Sequence, residues 1–269
     1  METKEFAKEM RKLILEAIYN SKSGHPGGSL SCTDILAVLY NEEMRRDAND
    51  PKNLNRDRFV LSKGHACPAM YAALALKGYF PVEDIKTFRK IDSYLEGHPD
   101  MKHIPGVDMT TGSLGQGISA ACGMAIAGKK QNKDYRVYTV LGDGEIEEGQ
   151  CWEAFMFAAH YKLSNLCVFI DSNGLQIDGD VNEVMSSAPL ADKMKAFGFN
   201  TLEIDGHDLD AIRGALKAAK ECKDKPTAII AKTVKGKGVS FMENQAGWHG
   251  VAPNKEQYEQ GIKEVEANG

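Results

Sequence analysis

Residues 138–179 read YTVLGDGEIEEGQCWEAFMFAAHYKLSNLCVFIDSNGLQIDG. The apolar run YRVYTVL ends at Leu141 and passes into Gly142-Asp143-Gly144. Carboxylates follow at Glu145, Glu147 and Glu148, then a helix expected from about Gly149 to His160, then the apolar run NLCVFID closing on Asp171-Ser172-Asn173. Strand, helix and strand in this order read as a βαβ unit. The two strands of such a unit run parallel and are joined by a right-handed crossover, so both finish on the same edge of the sheet. Ligands of open α/β sheets bind at that edge.

Asp143 and Asn173 can therefore meet there. A carboxylate, an amide oxygen and a nearby main-chain carbonyl are hard oxygen donors of the kind Mg²⁺ or Ca²⁺ takes, with water or phosphate oxygens completing the shell. The glycines beside Asp143 let backbone approach a ligand closely. The following helix offers free N–H groups and the positive end of its dipole to an anion. A diphosphate bridged by a divalent cation satisfies both elements, and the cation offsets the repulsion expected from Glu145, Glu147 and Glu148. Each of Asp143 and Asn173 alone is as readily a plain turn-former; their placement at successive parallel strand ends favours a site. A nicotinamide-binding reading fails, because no G-x-G-x-x-G follows an early strand and no Walker lysine motif is present.

The rest of the chain extends the pattern. Residues 3–20 read as an amphipathic helix, and Ser31 or Thr33 can cap the helix carrying DILAVLYNEEM. RFVLS is a short strand leading into the helical KGHACPAMYAALALKGYF, and the small-residue run ISAACGMAIAGKK forms a further helix. VNEVMSSAPLADKMKAFGF gives a loop and helix, NTLEID a strand, DLDAIRGALKAAKEC a helix and KPTAIIAKTV a last strand. KGKGVSFMENQAGWHG reads as an exposed loop, and NKEQYEQGIKEVEANG as a surface helix. Strands that are nearly continuous apolar runs indicate helices on both faces of a mostly parallel, doubly wound α/β sheet. The expected organisation is one domain over 1–269, with a helical, loop-rich part at 1–110 and the βαβ core with its metal and diphosphate site at 111–250.

With 42% hydrophobic and 26% charged residues and a net charge of −5, the chain has no basic footprint for nucleic acid. It has no apolar run of the roughly 20 residues a membrane span needs. METKEFAKEMRKLILEAIYN lacks a signal-peptide core, and Cys32, Cys67, Cys122, Cys151, Cys167 and Cys222 show no C-x-x-C spacing. Buried reduced thiols and a cytoplasmic location are expected.

GDG followed after about 28 residues by Asn is similar to the fingerprint of Mg²⁺–thiamine diphosphate enzymes. The chain resembles transketolases in particular. SGHPGGSLS, FVLSKGHACPAMYAAL, EGHPD, PGVDMTTGSLGQGISAACGMA, LGDGEIEEGQCWEA, DSNGLQIDG and GWHG occur in that family's order and cover nearly the whole chain. A full-length transketolase is more than twice as long, so the chain looks like the N-terminal, diphosphate-binding subunit of a split, two-subunit enzyme. The resemblance implies thiamine diphosphate with Mg²⁺, or Ca²⁺ or Mn²⁺, as cofactors. It implies two-carbon ketol transfer from a ketose phosphate to an aldose phosphate, as in the pentose phosphate pathway. It also implies a separate C-terminal, pyrimidine-binding partner subunit in an α2β2 heterotetramer.

By the same resemblance His25, His98 and His249 are the catalytic candidates, holding substrate oxygens and assisting proton transfer. The cofactor-binding candidates are His65, Gly112, Ser113, Leu114, Asp143, Gly144, Asn173 and His249, and the metal ligands are Asp143, Asn173 and the main-chain oxygen of Leu175. Glu148 and Glu153 match carboxylates at the subunit interface, while His103, His160 and His207 match nothing. The same half of a 1-deoxyxylulose-5-phosphate synthase-like or 2-oxoacid dehydrogenase-like enzyme, or a non-catalytic regulatory subunit, is the alternative; the four histidines favour transketolase.

Overall fold

In the computed structural model, which describes residues 1–268, the two apolar runs of residues 138–172 are neighbouring parallel strands. The strands in chain order are β1 (Arg58–Leu61), β2 (Val137–Gly142), β3 (Leu166–Ser172), the short hairpin pair β4 (Leu175–Gln176) and β5 (Gly179–Asp180), β6 (Asn200–Asp205) and β7 (Thr227–Lys232). Five of them form one sheet in the order β1-β2-β3-β7-β6, parallel throughout. β1 reaches this sheet from the first 110 residues. Gly142 stands opposite Asp171 and Ser172 opposite Lys232, so β2, β3 and β7 end level with one another.

The period-2 alternation of the central strands divides two apolar cores. Tyr138, Val140, Cys167 and Phe169 face the core built with α1 (Thr3–Ser21), α2 (Pro26–Ser31), α3 (Thr33–Val38), α4 (Cys67–Leu76) and α9 (Leu209–Glu221). Val137, Leu141, Val168 and Ile170 face the opposite core with α5 (Gly117–Lys130), α6 (Gly149–His160) and α8 (Leu190–Ala196). Both faces are therefore covered by helices, and the strands are apolar on both sides for that reason. β6, at the edge, keeps only partial burial, with Glu203 exposed. Phe155 is fully buried between α6 and the sheet, and its truncation to Ala would cost about 3–5 kcal/mol.

Two segments differ from the sequence expectation. Neither Ser31 nor Thr33 caps a helix: Ser31 Oγ donates to Asp171 Oδ2 at 2.6 Å and Thr33 Oγ1 to the Ser29 carbonyl at 2.9 Å. The segment 235–250 is not wholly exposed, because Lys235, Val239 and Met242 are buried. The final helix, α10 (Lys255–Asn268), does lie on the surface, but it is anchored on α1 by a Tyr19–Tyr258 stack at 4.3 Å and by buried Val265. α7 (Val181–Val184) is a single turn. All six cysteines are free thiols, and five of them are buried. Among the described residues no helix is long and apolar enough to cross a membrane.

Candidate active site

Four adjacent strands deliver one polar side chain each to the carboxyl edge of the sheet. Lys63 follows β1, Asp143 follows β2, Asn173 follows β3 and Lys235 follows β7. They converge on a cavity of about 210 Å³, whose wall also includes Gly28, His65, Leu114, Leu175 and His249. Hollows of about 710 and 580 Å³ lie elsewhere and contain none of these residues, so size does not mark the site here; the donor chemistry does.

Asp143 is 4% exposed. Its Oδ2 accepts from the Gly174 amide at 2.6 Å and its Oδ1 from the Gly144 amide at 3.0 Å. Burial pushes its carboxyl up to about 6, overcoming the Gly174 amide that draws it down. Asn173 Oδ1 faces the Leu175 amide at 3.1 Å, and the Leu175 carbonyl accepts from Lys235 Nζ at 3.0 Å. A desolvated carboxylate without a cationic partner at bonding distance, an amide oxygen and a main-chain carbonyl thus border one cavity, a donor set that fits a hard divalent cation.

Behind this corner sits Asp171, fully buried. Burial opposes its ionisation, but the Lys63 ammonium, with the hydroxyls of Ser31 and Thr233, holds it below the usual carboxylate range. Lys63 also donates to the Gly28 carbonyl at 2.9 Å. A Cβ on Gly28 would lie 3.2 Å from His65 Nε2 and 3.4 Å from Lys63 Nζ, so the backbone there crosses the site at close range.

Three imidazoles form one cluster. The ring centroids of His25 and His65 are 5.2 Å apart, those of His25 and His249 5.4 Å, and those of His65 and His249 5.2 Å. Burial is the first cause of their weak basicity, and the surrounding cations add to it. His25 falls to about 4, with Arg89, His98 and Lys235 contributing, and His249 to about 3, with Lys235 contributing most after burial. His65 lies well below the ordinary value through burial and Lys63. All three are neutral at pH 7, each with one N–H donor and one acceptor nitrogen. Lys235 Nζ lies 3.0 Å from His249 Nδ1; an ammonium only donates, so the His249 proton sits on Nε2. His25 Nδ1 is buried without a hydrogen-bond partner.

His98 lies outside this cavity. It is exposed at the surface, but partial desolvation of its ring and the nearby Arg89 lower its basicity. Its ring packs 3.0 Å from where a Cβ on Gly112 would stand, and Gly112 has φ +148, a conformation a side chain would strain. The Gly112-Ser113-Leu114 loop runs from His98 to the cavity, where Leu114 forms part of the wall. Glu145 supports this loop: its buried carboxylate accepts from Ser62 Oγ at 2.6 Å and from the amides of Gly115 and Gly142 at 3.0 Å each. Gly144 borders the cavity beside Gln176. Glu148, just before α6, and Glu153 on it are exposed.

Comparison with known proteins agrees with this geometry. The family model described as "Transketolase, thiamine diphosphate binding domain" matches residues 2–266. The chain belongs to the transketolase family. It is 47% identical over 263 residues to the 6-deoxy-6-sulfo-D-fructose transketolase subunit SqwG of Clostridium sp. (strain MSTE9), covering 98% of this chain and 96% of that one. It is 43% identical to one of the apulose-4-phosphate transketolase subunits of Phocaeicola vulgatus, covering 98% and 94%. Mouse transketolase is 44% identical over 97% of this chain, which spans 42% of that protein's length. A solved transketolase from Pichia stipitis superposes with a TM-score of 0.94 at 34% identity, over 98% of this chain and 40% of that one. The chain thus carries the thiamine diphosphate binding domain of transketolases, matches two transketolase subunits over nearly their whole length, and spans about two-fifths of the undivided enzymes.

Most of the residues expected of this transketolase subunit line the cavity or join its histidine cluster. His98, Gly112 and Ser113 stand beside it, with the His98 ring joined to the site through Gly112, while Glu148 and Glu153 face outward. Sequence reasoning missed Lys63, Lys235 and Asp171. Lys63 stands two residues before His65 in FVLSKGH, and that adjacency was the available signal. Lys235 lies in KTVKGKG among other lysines, a pattern that reads as solvated surface, yet it is 2% exposed.

Proposed function

We propose that this chain is the N-terminal subunit of a two-chain transketolase that transfers a two-carbon ketol unit from a ketose phosphate to an aldose phosphate, using Mg²⁺ and thiamine diphosphate. The observation that carries the reading is the convergence of Asp143, Asn173, Leu175 and two neutral imidazoles, His65 and His249, on one cavity at the carboxyl edge of the sheet, with His25 packed against both rings. The oxygen donors of Asp143, Asn173 and Leu175 would hold the cation, with Ca²⁺ or Mn²⁺ as substitutes. Gly112, Ser113, Leu114, Gly144, His65, His249 and the Lys235 ammonium would hold the cofactor. When bound, thiamine diphosphate supplies the nucleophilic carbon and the electron sink for carbon–carbon cleavage.

His25 and His249, neutral and mutually oriented, would hold substrate oxygens and carry protons at their ring nitrogens. His98, at the exposed end of the Gly112 loop, would bind the sugar hydroxyls at the mouth. Burial and the nearby Arg89 and Lys235 keep His25 and His249 neutral, so each offers one N–H donor and one acceptor nitrogen to substrate oxygens. We read residues 1–269 as one diphosphate-binding unit.

A second polypeptide would supply the pyrimidine-binding half, in an α2β2 assembly in the cytoplasm. Leu114, Met156, Phe157, Tyr161, Ile177, Glu148 and Glu153, all exposed, are the residues it would cover. Two relatives are named as subunits of transketolases, which supports the two-chain reading. Native mass spectrometry of the gently purified chain, with thiamine diphosphate quantified on the same sample, tests this. A complex with a second chain carrying the cofactor, active on ketose phosphates and inactive on pyruvate, is the expected result. Robust turnover by the chain alone, or a cofactor-free chain in the presence of its partner, would overturn it.

A further inference from the structure

Lys235 reaches the cavity from a short segment that leaves β7 and turns through two glycines in the left-handed region, Gly236 at φ +82 and Gly238 at φ +94. Such a segment has little intrinsic preference for one conformation. It is fixed from behind by side chains that do not line the cavity. His207, in the turn between β6 and α9, accepts the Val234 amide on Nε2 at 2.8 Å and faces Asp34 Oδ2 with Nδ1 at 2.8 Å. Arg11 of α1 donates to the same Asp34 Oδ2 at 2.6 Å through Nη2 and to the Lys237 carbonyl at 3.3 Å through Nε.

The two main-chain contacts bracket Lys235: Val234 on one side and Lys237 on the other. Asp34 joins the two clamping side chains and is itself nearly buried, with a side-chain exposure of 9%. Burial works against its charge, but Arg11 and His207 hold it ionised below the usual range. Accepting the Val234 N–H requires a bare Nε2, so the proton of His207 is on Nδ1, where it is donated to Asp34.

We propose that Arg11, Asp34 and His207 are positioning residues that set the Lys235 ammonium against the Leu175 carbonyl and His249, and thereby the affinity for the cofactor diphosphate. This rests on the thiamine diphosphate reading of the cavity. Loss of His207 frees the Val234 amide, and the Lys235 side chain no longer has one address; the oxygen that would ligate the metal and the tautomer of His249 both depend on it.

The test is a double-mutant cycle on the full chain, isolated together with the partner it assembles with. Thiamine diphosphate is titrated at saturating Mg²⁺ into the wild type, His207→Ala, Lys235→Ala and the double variant, with Tm measured on each. His207→Ala is expected to raise the Kd roughly tenfold in the wild-type background, as loss of a hydrogen bond to charge-linked groups does, and to have no further effect once Lys235 is Ala. Because Lys235→Met and Asp34→Asn probe the same chain of contacts, they keep the test open if His207→Ala folds poorly; Asp34→Asn should raise the Kd only where Lys235 is present. Equal fold-changes from His207→Ala with and without Lys235 would overturn the proposal and leave a purely structural cluster. A wild-type complex that binds no thiamine diphosphate would overturn the cofactor reading and, with it, this inference.

Discussion

The amino and carboxyl edges of the same sheet both bury carboxylates, and two of them, Asp108 and Asp143, are treated in opposite ways. At the amino edge, beside Arg58 at the start of β1, Asp108 is shared by three guanidiniums. Arg46 Nη1 lies 2.7 Å and Arg58 Nη1 3.5 Å from it, Arg56 also bonds it, and the Phe59 amide donates to it at 2.9 Å. At the carboxyl edge Asp143 has only two backbone amides, and its carboxyl is pushed up to about 6. Lys235, on the cavity wall, is itself brought down to about 8 by burial and by Lys63. One edge is over-supplied with partners and serves the fold. The other pairs Asp171 and Glu145 fully but leaves Asp143 without a cation, which costs stability and leaves it ready for a ligand.

The sharpest way to break the contrast is Asp143→Asn. Removing a direct metal ligand should weaken Mg²⁺-dependent thiamine diphosphate binding by more than the roughly 100-fold that loss of an outer partner costs. Tm should change little, because removing a desolvated charge offsets the loss of an acceptor for one of the two backbone amides. Calorimetric melting alongside cofactor titration decides it; a variant that melts earlier and still binds would place Asp143 with the structural carboxylates.

Asp108→Ala is the converse. It strands three guanidiniums, two of them at 4% and 12% side-chain exposure, and should cost about 3–5 kcal/mol in a urea melt without changing the cofactor Kd per folded molecule. An unchanged midpoint would show that the arginines are solvated well enough to do without it.

The pH dependence of stability without cofactor separates the edges further. Asp143 titrates near 3.8 unfolded and about 6 folded, so the native state binds the extra proton between those values. Its contribution therefore destabilises increasingly as pH rises from 3.8 to 6, by about 3 kcal/mol in all. His25 and His249 act with the opposite sign. Their folded values of about 4 and about 3 lie below 6.5, so the unfolded chain binds more protons and stability is lost as pH falls from 6.5 toward 4. Asp143→Asn should thus steepen the acid-side loss, and His25→Gln should flatten it. Chemical denaturation at a series of pH values reads both slopes; identical slopes in all three proteins would mean that these groups are solvated in the apo state.

The sequence carried the carboxyl edge further than the amino edge. Asp143 and Asn173 were legible because a βαβ unit forces two strand ends together, whatever the side chains around them. The histidines were legible through their motifs, although nothing local says that His25, His65 and His249 meet; that depends on α2, α4 and the 247–250 loop packing on one another. Lys63 and Asp171 were not legible, since a buried pair 108 residues apart has no periodic or spacing signal. Lys235 was misread with its whole loop: Gly236, Gly238 and flanking lysines look solvent-bound in one dimension, and only the contacts of Val239 and Met242 with the core turn the segment inward.

The smallest expected effect probes the redundancy of the amino edge. Arg45 bonds Asp57 through Nη2 at 3.1 Å but is about half exposed, with a side-chain exposure of 52%. Asp57 is 3% exposed at the side chain and keeps two backbone donors whatever Arg45 does: the Arg45 amide at 2.9 Å and the Arg136 amide at 2.8 Å. Through Asp57 the Arg136 amide ties the start of β2 to the start of β1, and the Arg45 amide ties on the segment after residue 43; to these the guanidinium adds a screened ion pair. Arg45→Ala should therefore cost no more than about 1 kcal/mol, and less at high salt. Asp57→Ala, which removes the acceptor from both amides at once, should cost several times that. Equal losses from the two substitutions would mean that the arginine, and not the backbone amides, carries Asp57, and the amino edge would then be held by charge pairing as exposed as anything on the surface.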